Sequence, residues 1–312
     1  MTALQILNPT PSVMTDINGI AEFLELNYDA IINSMDISDK SKKTYYSNGK
    51  EFLKFVAANG FNIDSFRNYK AYLLKRTDIQ DESKKQKLIT AKAILDDLHY
   101  HRRILPFDIA KGIKNIKTDT GHKKDGLNSE EVSKVKLYID SITDTTKRTR
   151  LKAMFNLLML QGLRQFEVCN ILIEDITLND CQMRIKGKGS ETKKPIDLHP
   201  DTCKALKDYL STSGKRSGYL FTSEKGTTKG EKLTERGFRK IFDTVFDALQ
   251  IDRSTHGFRH FFVTRMLEAT NGNIGIVKQF SRHKSTQALM MYDDRKRKKE
   301  QLPMYYEAFA GI

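Results

Sequence analysis

Cysteine is scarce in this sequence, and the three cysteines present form no metal-binding pattern. Cys169, Cys181 and Cys203 are odd in number, and none belongs to a CxxC pair. The count argues against a disulfide framework, and the spacing argues against a zinc site. The thiols are therefore interpreted as reduced, and neither a metal nor another cofactor is expected.

Long apolar stretches are missing as well. No run approaches the roughly 20 apolar residues that a membrane-spanning helix needs. Residues 1–10 lack the basic region and the apolar stretch of a signal peptide. A cytoplasmic protein is expected, and the chain offers neither a basic amphipathic helix nor a lipidation signal that would favour a membrane partner.

Positive charge, by contrast, is abundant. The 53 lysine and arginine residues outnumber the 39 acidic residues, which gives a formal net charge of +14 at pH 7. An excess of this size predicts a polyanionic partner, most simply nucleic acid. Hydrophobic residues still make up 39% of the 312 residues, enough for the cores of about two soluble domains.

The pattern along the chain divides it into four parts. Residues 1–16 contain two prolines and no clear periodicity, and they are predicted to be a flexible lead. Residues 17–110 carry apolar side chains at spacings of three and four, which predicts an all-helical domain of four or five helices. Residues 111–126 are rich in lysine and glycine and are predicted to be a linker, either a solvated tether or a segment that follows a phosphate backbone. Residues 127–312 form the second predicted domain.

The second domain is predicted to be mainly helical with one small β-hairpin. Asn128 or Ser129, followed by two glutamates, is a plausible helix start, and the apolar run at residues 150–162 indicates a buried helix. Residues 181–186 and 193–198 are typical of short strands around a glycine-rich turn. The predicted fold class is therefore mainly α with a small β-hairpin or sheet in the second domain, an α+β arrangement.

Two motifs near this hairpin could carry chemistry. Residues 162–168 read GLRQFEV, and the guanidinium of Arg164 offers a fork of donors that fits two phosphate oxygens. An arginine at this place could also cap the end of a helix. Residues 186–189 read KGKG on the hairpin turn. A lysine whose pKa is lowered by neighbouring cations can deliver a proton into a closed site.

Two further motifs follow towards the C-terminus. Residues 255–260 read THGFRH, in which Thr255 is predicted to cap a helix. His256 and Arg259 are three residues apart, so they share one face near the helix start, where a phosphate is favoured. Residues 281–285 read SRHKS, and Tyr292 follows nine residues after His283.

In this order, the motifs within residues 128–293 resemble the catalytic domain of the tyrosine recombinases and phage integrases. The resemblance implies that Arg164 and Arg259 bind the scissile phosphate and that Glu167 braces the local structure. Six catalytic residues follow from it: Arg164, Lys188, His256, Arg259, His283 and Tyr292.

The family pattern also assigns the remaining roles. Tyr292 would attack the phosphorus, and Lys188 would protonate the leaving oxygen. His256 would be a further phosphate ligand and could also move a proton. The hairpin is longer after Gly189 than the family pattern, so Lys186 or Lys193 could hold the role of Lys188 instead.

Three positions depart from the family. Arg282 stands where glycine is usual, which puts the tight turn before His283 in doubt, and Ser281 and Phe258 each stand where leucine is usual. A large ring at position 258 is expected to point into the core.

The resemblance also implies partners and architecture. The first domain, through SKKTY at residues 41–45, resembles the family's core-binding domain, which gives a two-domain tyrosine recombinase architecture. The expected partner is double-stranded DNA with a specific recombination site, on which four protomers assemble, in a bacterium or encoded by a phage or mobile element. The tail after Tyr292 would dock either on a neighbouring subunit or on its own domain.

Two other functions fit parts of the same pattern. One is a type IB topoisomerase-like enzyme that relaxes DNA as a monomer, and the other is a DNA-binding regulator without catalysis. Integration, excision, inversion and resolution share one mechanism, so the sequence does not choose between them.

Overall fold

The computed structural model describes residues 18–118, 126–187, 190, 192–224, 226–283, 285–287, 289–290, 303 and 306–307. The chain divides into two compact units, Met1–Thr120 and Gly121–Ile312. This division falls within the segment that the sequence predicts to be a linker. The predicted lead at residues 1–16 lies outside the described residues, as does nearly all of the predicted tail.

The first unit is built of helices. Ser38 begins the second of them, because its side chain accepts a hydrogen bond from the backbone N–H of Ser41 at 3.3 Å. Residues 18–118 form four α-helices and one π-helical turn, which confirms the prediction of four or five helices. Their bounds are α1 (Asn18–Ser34), α2 (Asp39–Asn59), α3 (Ser65–Lys75), α4 (Asp81–Asp96) and the π-helical turn Asp97–His101.

Aromatic side chains hold these helices together. The rings of Phe52 and Tyr69, both fully buried, pack edge to face with centroids 5.0 Å apart. The hydroxyl of Tyr28 donates to the backbone oxygens of Tyr45 (2.9 Å) and Tyr46 (2.8 Å), which ties α1 to α2. The apolar stripes found in the sequence therefore form a single core in this unit.

Residues 111–118, part of the predicted linker, lie against the first unit. Ile116 is buried in its core and Ile113 packs on it. The Nζ atom of Lys70 donates to the backbone oxygen of Lys114 at 2.6 Å. Lysine and glycine dominate the composition here, but two isoleucines three residues apart suffice to hold the segment on the core.

The second unit starts its first helix at the predicted place. The side chain of Asn128 accepts a hydrogen bond from the backbone N–H of Glu131 (2.8 Å), and the Glu131 carboxylate accepts one from the backbone N–H of Asn128 (2.8 Å). This reciprocal pair is a capping box. The α-helices described in this unit are α5 (Ser129–Asp140), α6 (Thr145–Met159), α7 (Gln165–Cys169), α8 (Pro200–Ser213), α9 (Glu235–Ala248), α10 (His256–Ala269) and α11 (Ile274–Ser281).

A small antiparallel sheet separates α7 from α8 along the chain. Its strands are β1 (Ile176–Thr177), β2 (Gln182–Lys186) and β3 (Lys193–Asp197), in the order β1-β2-β3. The predicted hairpin is confirmed by β2 and β3, whose pairing brings Lys186 opposite Lys193 beside the turn. The sequence did not predict β1, because two residues are too few to show alternation.

The core of the second unit surrounds α6 and includes Phe258. This ring is fully buried, and its centroid lies 5.4–5.6 Å from those of Phe155, Phe242 and Phe246. The prediction that Phe258 points inward is therefore confirmed. The whole described chain is mainly helical with one small sheet, as the sequence predicts, and none of its described helices is long and apolar enough to cross a membrane.

Replacing Phe258 with alanine should lower the free energy of unfolding of the second unit by about 3–5 kcal/mol, because the change leaves a cavity among three other rings. Phe258→Leu should cost less, since leucine fills part of that cavity. Urea unfolding followed by circular dichroism measures both effects. Phe280, which is 55% exposed, supplies the control: Phe280→Ala should change the free energy by less than about 0.5 kcal/mol, and equal losses at both positions would contradict this packing role.

Candidate active site

A tight turn after α6 forms the centre of the candidate site. Gly162 has a φ of +56°, a left-handed conformation that favours glycine. A Cβ at this position would lie 2.4 Å from Cδ1 of Phe262 on α10. Glycine therefore allows this turn to approach α10 closely.

Gln161 ties the same turn to the sheet. This residue is buried, with only 7% of its surface exposed. The side-chain amide is oriented so that both its nitrogen and its oxygen have hydrogen-bond partners. The nitrogen donates to the backbone oxygen of Asp197 (3.1 Å), and the oxygen accepts from the backbone N–H of His199 (2.6 Å). The turn is thereby connected to the end of β3, the second strand of the basic hairpin.

Arg164 leaves this turn immediately before α7. Its backbone N–H donates to Oε2 of Glu167 (2.9 Å), and its Nη1 donates to Oε1 of the same carboxylate (3.0 Å). The side chain of Glu167 is 1% exposed, whereas that of Arg164 is 31% exposed. The buried carboxylate thus holds an arginine whose guanidinium still reaches solvent.

The predicted helix cap at Thr255 is wrong. Thr255 already has helical backbone angles (φ −57°, ψ −20°), and its side chain makes no capping hydrogen bond to α10. A capping side chain needs an extended backbone to reach the N–H groups two or three residues further on. In the described part of the chain, the buried hydroxyl of Thr255 has no hydrogen-bond partner.

The first turn of α10 gives its two predicted site residues different surroundings. His256 is exposed, while Arg259 is 1% exposed. Arg259 donates from Nη1 to the backbone oxygen of Gly162 and from Nη2 to that of Ser281 (2.7 Å). Its Nη2 also lies 3.2 Å from Nε2 of His283. This buried guanidinium therefore binds main-chain oxygens from two other segments.

Arg282 forms the turn that the family builds with glycine. It ends α11 in the left-handed conformation (φ +56°, ψ +36°), which costs a residue with a Cβ roughly 1–2 kcal/mol. The tight turn that the sequence left in doubt is thus present. The guanidinium of Arg282 donates to the backbone oxygens of Phe280 (2.8 Å) and Gln161 (3.2 Å), and it lies 3.5 Å from Oε2 of Glu167.

His283 follows that turn directly. Its Nδ1 lies 2.7 Å from Oγ of Ser281. Burial lowers the pKa of His283 from its usual 6.5 to about 4, and so do the neighbouring positive groups, in decreasing order Arg259, Arg164, Arg282 and His256. The ring is therefore neutral at neutral pH and is able to accept a proton.

The structure describes two of the three candidate lysines. Lys193 donates from Nζ to Oδ2 of Asp175 (2.5 Å), a carboxylate that is 10% exposed. Lys186 ends β2 beside the hairpin turn. Lys188 and Tyr292 lie outside the described residues, so their roles stay predictions.

Segments far apart in the sequence thus meet at the turn after α6. The structure brings Arg164, Arg259 and His283 together there, and His256 lies in the first turn of α10, the helix that also carries Arg259. Sequence reasoning missed the contacts of Arg282 and the role of Gln161. Arg282 was visible only as a departure from glycine, and Gln161 gave no signal. Among the described residues, no three His, Cys, Asp or Glu side chains cluster as a metal site requires.

Known proteins resemble this chain in sequence and in fold. Residues 127–299 match the phage integrase family. The chain is 27% identical over 274 residues to a tyrosine recombinase of Synechocystis sp., which covers 82% of this chain and 87% of that protein. It is 23% identical over 291 residues to the tyrosine recombinase XerC of Proteus mirabilis, covering 89% of this chain and 92% of XerC.

Two solved structures share the fold. One is the XerH site-specific recombinase bound to its palindromic difH substrate in a post-cleavage complex, with a TM-score of 0.69, 18% identity and coverage of 96% of this chain and 91% of XerH. The other is a lambda integrase dimer bound to a core site, with a TM-score of 0.67, 16% identity and coverage of 88% and 96%. The predicted two-domain tyrosine recombinase architecture is thereby confirmed.

The fold and the family match together define the class of this protein as a tyrosine recombinase. The matched residues make up more than half of the chain. The chain belongs to the phage integrase family.

The lowered pKa of His283 predicts a pH dependence of stability. The folded state binds fewer protons than the unfolded state between about pH 4 and the usual 6.5. The stability from the neutral ring is therefore fully present above about 6.5 and is lost as the pH falls towards about 4. Wild type should consequently lose more free energy of unfolding than His283→Gln between about pH 7 and about pH 4.5.

Urea unfolding at both pH values measures this difference, and nuclear magnetic resonance of the His283 ring should give a pKa near 4. His101→Gln, which removes an exposed histidine, is the control and should retain the wild-type pH dependence. A His283 ring that titrates near 6.5 would refute the prediction.

Proposed function

We propose that this protein is a site-specific recombinase that cuts and rejoins DNA through a covalent 3′-phosphotyrosyl intermediate. One observation carries the proposal: Arg164, Arg259 and His283 converge on a single turn from three separate segments. The motif order implied this grouping. Double-stranded DNA with a specific recombination site is the proposed substrate.

The chemistry of phosphodiester cleavage suits such a site. The transition state spreads negative charge over the phosphoryl oxygens, and arginine forks can bind them in pairs. Each charge-assisted hydrogen bond contributes about 1.5–3 kcal/mol, although such contacts are coupled and do not simply add. Arg164 is the more exposed of the two arginines, so an incoming phosphate would reach it first.

The proposed reaction has two balanced steps. The phenol oxygen of Tyr292 attacks the phosphorus, the bond to the 5′ oxygen breaks, and Lys188 gives that oxygen a proton. His283 is neutral and is able to accept the proton that the phenol loses. The 5′-hydroxyl of a partner strand then attacks the phosphotyrosine and gives its proton to Lys188, while the bond to the Tyr292 oxygen breaks and His283 returns a proton to that oxygen. The covalent link retains the bond energy, so the cycle needs no external energy source.

We also propose how DNA and protomers assemble. The net charge of +14 supports binding along the phosphate backbone. A protein with six to ten phosphate contacts loses about 10³–10⁵ in affinity between about 50 and 200 mM salt. XerH and lambda integrase have structures on DNA sites, and exchange between two such sites would use four copies of this chain.

Tyr292→Phe should abolish the covalent adduct and leave DNA binding unchanged within about two-fold, because only the attacking oxygen is removed. The substrate is a nicked duplex from the DNA beside the gene, in which the short strand diffuses away after cleavage and traps the adduct. Gel electrophoresis under denaturing conditions measures it. Tyr306→Phe, at a 62% exposed tyrosine later in the chain, should form the adduct normally, and an adduct that persists in Tyr292→Phe would sink the assignment.

Lys188→Ala should slow cleavage by about 10²–10⁴-fold, because the leaving oxygen loses its proton donor. Replacing that oxygen with sulfur should restore the rate, since a thiolate leaves without a proton. Lys193→Ala is the matched control, because Lys193 is already paired with Asp175. Single-turnover cleavage assays measure each rate. If the sulfur substrate restores the rate of Lys193→Ala but not that of Lys188→Ala, the proton donor is Lys193 instead.

A further inference from the structure

The end of α11 combines an unfavourable backbone with an enclosed side chain. Arg282 is left-handed, although glycine is favoured there, and its side chain is only 20% exposed. Gln250 has nearly the same φ (+55°) but is exposed. Unlike Gln250, Arg282 is thus enclosed, so its side chain is in a position to make contacts that offset the strain of its backbone.

The guanidinium of Arg282 reaches two turns at once. Its Nη1 donates to the backbone oxygen of Phe280 (2.8 Å), which closes the last turn of its own helix. Both of its Nη atoms reach the backbone oxygen of Gln161 (3.3 and 3.2 Å), and Nη2 lies 3.4 Å from that of Gly162. The planar fork makes these contacts simultaneous, which a lysine with one nitrogen could not reproduce.

Arg282 also shares the carboxylate that holds Arg164. Its Nη2 lies 3.5 Å from Oε2 of Glu167, while Arg164 binds both oxygens of that carboxylate. Glu167 is 1% exposed, and a buried carboxylate needs compensating charge. Because Arg282 supplies part of this charge, Arg164 keeps more of its own for an anion.

The contacts of Arg282 meet those of Arg259. The backbone oxygen of Gly162 accepts hydrogen bonds from both guanidinium groups. Arg259 in turn binds the backbone oxygen of Ser281 and contacts the ring of His283. Residues 281–283 and the turn after α6 are therefore joined twice, once through each arginine.

We propose that Arg282 is a positioning residue of the cleavage site: it joins the turn before Arg164 to the turn before His283 and fixes these two side chains relative to each other. The inference rests on the proposed function. Arg282 acts through Arg164 and His283, and glycine at this position would leave Arg259 alone to join the two turns.

Arg282→Gly is the main test. Glycine suits the left-handed backbone, so the variant should fold. It should bind DNA within about two-fold of wild type but form the covalent adduct roughly 10–100-fold more slowly at saturating DNA, because small misplacements of reacting groups carry penalties of this size. The pKa of His283 should rise from about 4 towards 6.5, since one nearby positive charge is gone.

Arg282→Lys separates geometry from charge. It keeps the positive charge and should hold the pKa of His283 low, yet it lacks the fork and should recover little of the cleavage rate. Wild-type cleavage by the lysine variant would overturn the inference, because charge alone would then suffice. Arg282→Asn, which tolerates the left-handed region, gives a second variant without the bridge and should be as slow as Arg282→Gly.

Gln250→Gly is the matched control, since it places glycine at a left-handed position that is exposed. It should cleave at the wild-type rate. If wild type forms no adduct on any substrate, the proposed function fails, and the positioning role, which rests on it, fails with it. If wild type forms the adduct and Arg282→Gly matches its rate, only the positioning role fails.

Discussion

The site depends on two neighbouring main-chain oxygens, those of Gln161 and Gly162, to which arginine side chains bind. Arg259 comes from α10 and Arg282 from the end of α11, and both donate to this turn. Buried guanidinium groups need acceptors, and a buried carbonyl oxygen has two lone pairs to offer. The glycine at position 162 makes the approach possible, because a side chain there would collide with Phe262. The relative positions of the motifs at residues 162–168, 255–260 and 281–285 therefore depend on the turn after α6.

This arrangement concentrates positive charge around His283. Three arginines lower its pKa, and among the described residues the carboxylate of Glu167 is bound to two of them, Arg164 and Arg282. An anion entering such a site would meet an unbalanced positive field in a poorly hydrated place, where electrostatic interactions are strong. The same field keeps the imidazole neutral.

The sequence predicted most of the fold because the decisive signals were local. The capping box at Asn128 and the pairing of Lys186 with Lys193 each arise from residues close together in the chain. The prediction that Thr255 caps a helix failed, because a suitable side chain caps a helix only when its backbone is extended. The residue types in a motif do not reveal the backbone angles φ and ψ. The short β1 was missed because a two-residue strand has no period.

The site was predictable in its residue types but not in its contacts. Arg164, Arg259 and His283 stood out through motif order, whereas main-chain oxygens are present in every residue and carry no signature in the sequence. Arg282 shows the limit most clearly. In the motif, an arginine in place of glycine argued against a tight turn before His283. In the structure that turn is present, and the side chain of Arg282 joins it to the turn after α6.

Glycine and arginine can both form the left-handed turn at position 282, but they stabilise it in different ways. Glycine adopts the left-handed conformation without strain but contributes no side chain, so a turn built with it must be held by other contacts. Arginine adds backbone strain of roughly 1–2 kcal/mol and offsets it with hydrogen bonds to Phe280 and Gln161. The bond to Gln161 is made only when both turns are in place, so the strained residue favours the assembled site over looser arrangements. In this chain, the departure from the family pattern therefore stabilises the geometry that the pattern implies.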